Sequence, residues 1–152
     1  MGFWDAVGKG LEKAAEFTQT AYAVDACLKV KPPGDLARLV EFQCTMSRQE
    51  FRRVKEAISA RARVPGINGF EEAGPLLDRF EAASQAVEEL AELPINDAEK
   101  ELRYLSRRLG RRGFSDLGTY LDSLARHSVD ESEARKFSDL SDCAHQVWRE
   151  RS

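Results

Sequence analysis

Thiol chemistry is scarce in this chain: Cys27, Cys44 and Cys143 are its three cysteines, an odd number, far apart, with no C-x-x-C and no Cys/His cluster at zinc-ligand spacing. That usage suits a reducing compartment, and each of the three sits in a helical pattern where a free cysteine packs as a small core residue. Also missing is any run approaching the 18 or so apolar residues of a membrane span. The amino terminus lacks the basic region and apolar run of a secretory signal. Its Met-Gly start has Ala6 where a myristoylation pattern wants Ser or Thr. A cytoplasmic location is expected.

Charge of one sign is lacking too, since 23 basic residues face 26 acidic ones for a net charge of −3. A bulk nucleic-acid binder normally carries a large positive excess, so nucleic acid is not expected as a partner. No phosphate loop, dinucleotide fingerprint, nucleophile elbow or H-E-x-x-H occurs. The chain is therefore expected to be non-enzymatic, with no cofactor and no small-molecule ligand implied.

Almost no segment alternates with the period of two that marks a half-buried strand; nearly all repeat their apolar residues at three or four. The expected fold is all-α, a compact single-domain bundle of about six to seven helices with short connections, spanning residues 1–152. Residues 1–30 form an amino-terminal amphipathic helix, semi-independent of the rest, ended by Pro32-Pro33-Gly34. Its apolar face from Phe3 to Thr18 includes Phe3, Trp4, Val7 and Leu11, and beyond Thr18 the stripe shifts to Phe17, Ala21, Val24 and Leu28.

Asp35 is placed to cap the next helix, which carries Leu36, Leu39, Val40, Gln43 and Met46. Ser47-Arg48-Gln49-Glu50 is a capping box opening a helix with Phe51, Val54, Ile58 and Ala62. Residues 65–74 concentrate turn formers and make the longest loop, in which Ile67, Asn68 and Phe70 are candidate functional positions. After Pro75 the stripe runs Leu76, Leu77, Phe80, Ala83, Val87, Leu90, Leu93, and Pro94 ends it. Asn96 or Asp97 is expected to cap a helix with Leu102, Leu105 and Leu109, closed by Gly110. A short helix then starts at Phe114-Ser115, and Asp130 opens a terminal one bearing Phe137, Leu140, Ala144, Val147 and Trp148.

Charge is banded along this series. The helix from Arg48 to Arg63 is basic, residues 71–101 hold ten acids against Arg79 and Lys100, and Arg103, Arg107, Arg108, Arg111 and Arg112 swing the sign back. Part of that arginine group suits the negative end of a helix dipole. The rest can grip carboxylates or phosphates through the guanidinium fork.

Two histidines exist, and Asp142 with His145 lies one turn apart on one face, a weak candidate metal pair without the second pair a di-metal bundle requires. Cys143 and His145, two residues apart, point to different faces.

These features favour a protein-binding module, an inhibitor, immunity protein, adaptor or regulator presenting a helical surface to another protein, with Arg103, Arg107, Arg108, Arg111, Arg112, Phe3 and Trp4 as contact residues. The first alternative is a peripheral protein docking on the inner face of a membrane through helix 3–18. Its polar face argues back: Lys9 and Lys13 are matched by Asp5, Glu12 and Glu16. A further alternative is a helical-bundle enzyme or metal-binding protein using Asp142 and His145. Arginine outnumbers lysine 16 to 7, as a GC-rich bacterial or phage genome would encode.

Overall fold

A computed structural model describes residues 19–63 and 73–151 of the chain. Phe3, Trp4 and the proposed docking helix 3–18, together with Ile67, Asn68 and Phe70, lie outside the described residues. Among the described residues every regular element is a helix: α1 over residues 19–28, α2 Gly34–Thr45, α3 Arg48–Ala62, α4 Ala73–Ala91, α5 Ile95–Arg108, α6 Gly110–His127 and α7 Glu131–Arg151. The fold is an all-α bundle, as the three-and-four periodicity requires.

Its core is the apolar stripes brought face to face. Leu36, Leu39, Ile58, Leu76, Leu90, Leu102, Leu105, Leu117, Leu121 and Leu140 are fully buried, each removal from water contributing about 1.5–3 kcal/mol. The Phe80 ring sits between Phe51 and Tyr120, with centroids 5.6 and 5.4 Å away, and so joins α3, α4 and α6. Helix α6 is central, packing against α2, α4, α5 and α7. From it the Tyr120 hydroxyl donates to Gln43 Oε1 at 2.7 Å and the Ser123 hydroxyl to the Ala37 carbonyl at 2.9 Å, fixing α2 alongside.

An ionic cluster lies within this packing. Arg79 on α4 donates Nη1 to Asp35 Oδ2 at 3.0 Å on α2, and Nε and Nη2 to Asp116 at 3.0 and 2.8 Å on α6. Asp35 is 3% exposed and Asp116 9%. The two carboxylates, Asp116 foremost, hold the Arg79 guanidinium protonated beyond its already high ordinary value. Asp35 is accordingly no free cap: Gly34 begins α2, and the aspartate, besides accepting from the Leu36 amide at 2.7 Å, serves the arginine.

Other boundaries follow the local chemistry. Ser47 Oγ accepts from the Glu50 amide at 3.2 Å, and Asp130 Oδ1 from the Ser132 amide at 2.9 Å, so both expected caps form. Three further expectations are corrected. Pro94, not Asn96 or Asp97, occupies the cap position of α5, its fixed φ of −59° leading directly into the first turn. And α6 begins at Gly110 rather than Phe114. Gly110 adopts φ +73°, which ends α5 and redirects the chain within one residue. Gly113 lies inside α6 where space is tight, because a Cβ there would come within 2.8 Å of Leu109 Cβ. Ala62, assigned to a buried stripe, is exposed at the end of α3.

Candidate functional site

The arginine-rich corner between α5 and α6 is where the described surface concentrates one charge. Helix α5 ends with Arg107 and Arg108 in its last turn, where cations interact favourably with the dipole, and Gly110 starts α6 beside them. Residues 128–130 then return α7 antiparallel along α6, so the last turns of α7 arrive at the first turns of α6. The three ends enclose a surface pocket of about 580 Å³, lined by Ser106 and Arg107 of α5, Gly110, Arg111 and Phe114 of α6, and Trp148 and Arg151 of α7.

Its apolar side is an aromatic stack. Phe114 and Trp148 lie nearly parallel, 6° apart with centroids at 6.2 Å, and the Arg111 guanidinium sits 5.7 Å from the Trp148 ring centroid in a cation–π contact. Its polar side is cationic. Arg107, Arg111 and Arg151 are all exposed and form no ion pair with any described residue, and no carboxylate is among the lining side chains. Leu109, at the cap position of α6, offers no side-chain acceptor to the free amides of that helix start.

The five arginines anticipated at this corner divide. Arg107 and Arg111 enter the pocket. Arg103 is taken up by Glu99 at 3.3 Å and Glu150 at 3.6 Å, and Arg108 by Glu89 at 3.6 Å while its guanidinium rests 5.8 Å from the Tyr104 ring. Arg112 is exposed beside the pocket but does not line it. The basic and acidic bands thus partly neutralise each other, as Lys55 does with Glu81 at 3.7 Å. Arg107 and Arg111, with Arg151 of α7, line the pocket without an ion-pair partner among the described residues.

Sequence reasoning assigned Trp148 only to a core stripe and missed Arg151. The available signal was the short connection after His127, which folds α7 back on α6 and sets residues four or five turns after it opposite residues four or five turns before it.

His145 has a different neighbour from the one its sequence suggested. Its Nε2 lies 3.1 Å from Asp122 Oδ2 on α6, and the same carboxylate accepts from the Ser141 hydroxyl, whereas Asp142 is exposed. Asp122 therefore staples α6 to α7 through two residues one turn apart. Among the described residues no three His, Cys, Asp or Glu side chains gather where they could hold a metal ion.

The thiols are turned away from chemistry. Burial pushes Cys27 up to about 12 and raises Cys44 and Cys143 above their ordinary values, keeping all three protonated at neutral pH. His127 borders a second pocket of about 420 Å³ shared with Arg38, Glu41, Asp122 and Arg126, in which the signs are mixed. No described helix is long and apolar enough to cross a membrane.

Comparison with known protein families, curated proteins and solved structures finds no match.

Proposed function

We propose that this chain is a non-enzymatic protein-binding module, of the kind an inhibitor, immunity protein, adaptor or regulator uses, and that it docks an acidic segment of another protein at the α5–α6–α7 corner. The observation that carries the reading is the coincidence, in one pocket, of an aromatic stack with three arginines that have no ion-pair partner among the described residues. Arginine, tryptophan and tyrosine dominate the energetic centres of protein interfaces, because they bury large areas while fixing polar geometry. Like charges held together repel, and an acidic partner relieves that repulsion while being steered toward it over roughly the 10 Å screening length of 0.1 M salt.

The rim supports the same reading. Tyr104, 56% exposed, lies next to Arg108 on the outer face of α5 and extends the aromatic–arginine surface beyond the pocket. Paired Glu89, Glu99 and Glu150 flank the arginines and give a partner a defined charge pattern to match.

The test is recovery of the tagged full chain from its host at low salt, beside the Arg107→Glu/Arg111→Glu variant, with far-ultraviolet circular dichroism confirming equal helicity. A specific protein retained by the wild type, released at high salt and lost from the variant is expected. Equal retention by both forms, or no retained protein, would count against this face.

A further inference from the structure

Resting on that reading, we infer that the pocket recognises a phosphorylated peptide segment, the phosphoryl group seated among Arg107, Arg111 and Arg151. Arg107, Arg111 and Arg151 line one pocket with no carboxylate in the lining. A lone carboxylate neutralises one of them. A phosphate monoester carries about −1.5 to −2 charge and three acceptor oxygens near neutral pH, and so engages several guanidinium forks at once. Gly110, where α6 begins with no side-chain cap, lines the same pocket, and a helix start of that kind favours an anion.

The pocket also indicates what carries the phosphoryl group. At about 580 Å³ it exceeds the space one phosphate fills, and the remainder runs along Phe114 and Trp148, suited to the apolar parts of a peptide. A nucleotide is disfavoured because, within the pocket, the Trp148 ring is already stacked on Phe114 with the Arg111 guanidinium beside it, so neither described aromatic lining it is held open for a base. An anionic bilayer is disfavoured by Glu89, Glu99 and Glu150 on the flanks, which would face its headgroups.

The experiment is an amide NMR titration of the full chain with short peptides identical except for phosphoserine, glutamate or serine at the centre, alongside inorganic phosphate and phosphatidic-acid vesicles. The phosphoserine peptide should shift the Gly110 and Arg111 amides and the Trp148 indole, bind about tenfold or more tighter than the glutamate peptide, and lose at least that factor in Arg107→Gln/Arg111→Gln. Equal binding of phosphoserine and glutamate peptides would overturn the phosphate assignment while leaving acidic docking intact. Inorganic phosphate binding as tightly as the peptide, capture by vesicles alone, or no shift at the pocket from any probe would each overturn the inference. In those cases acidic docking is still judged separately, by whether Arg107→Glu/Arg111→Glu loses its partner.

Discussion

Replacing Arg79 by methionine removes a cation that α2, α4 and α6 share while keeping a side chain of similar length. The substitution deletes donors at 2.8–3.0 Å from both Asp35 and Asp116, leaving two carboxylates, 3% and 9% exposed, without their counter-ion. Breaking a buried pair this way costs about 3–5 kcal/mol, and because the arginine side chain is itself a quarter exposed, water reaches the site and the lower end applies. A loss of about 3 kcal/mol is a large share of the 5–15 kcal/mol that holds a typical domain together. With a urea slope of about 2 kcal/mol/M it moves the midpoint down by about 1.5 M, read by circular dichroism at unchanged slope. Adding Asp35→Asn and Asp116→Asn to Arg79→Met should recover part of the loss, since neutral amides are cheaper to bury than stranded carboxylates. A single variant within about 1 kcal/mol of wild type, or a triple variant no more stable than the single, would refute the view that this cluster clamps three helices.

The remaining expectations concern the corner and the thiols. Gly110→Ala forces a Cβ onto φ +73° where nothing crowds it, so its cost of about 1 kcal/mol should be backbone strain alone, measurable as a lowered thermal midpoint. Arg107→Gln/Arg111→Gln removes exposed cations that have no described ion-pair partner, only the Arg111–Trp148 cation–π contact being lost, and should leave the unfolding free energy from urea titration within about 1 kcal/mol of wild type, so that any loss of binding is not a loss of fold. Cys27, raised from 9.0 to about 12 by burial, should have about a thousandfold less thiolate at pH 8 than an ordinary thiol and resist a disulfide reagent until the chain unfolds. Stability should fall as pH climbs from about 9 toward about 12, because the unfolded thiol releases a proton that the folded one keeps. Cys27→Ala should flatten that part of the profile.

Helix number and core stripes were legible from periodicity because burial on one helical face leaves a direct mark every three or four residues. Boundaries were less so where one residue type has two uses. Gly110 closes α5 yet also opens α6, and Asp35 resembles a cap yet neutralises Arg79. The site was half legible. Arg107 and Arg111 announce themselves as a run in sequence, but that Arg103 and Arg108 are consumed by Glu99, Glu150 and Glu89, and that Arg151 and Trp148 complete the pocket, depends on which helices lie side by side. Pairing across helices leaves no local pattern, and the same holds for His145 with Asp122 in place of Asp142.

The central claim is that partners meet the chain at the α5–α6–α7 corner. A photo-crosslinking residue placed at exposed Arg112, beside the pocket, tests it most directly against one at exposed Gln49 on α3, an element packed on α2 and α4. In host cells the Arg112 position should yield a discrete crosslinked protein that disappears when Arg107 and Arg111 are reversed to glutamate, and the Gln49 position should not. A discrete crosslink at Gln49 with none at Arg112, or one at Arg112 that survives the charge reversal, would contradict the account.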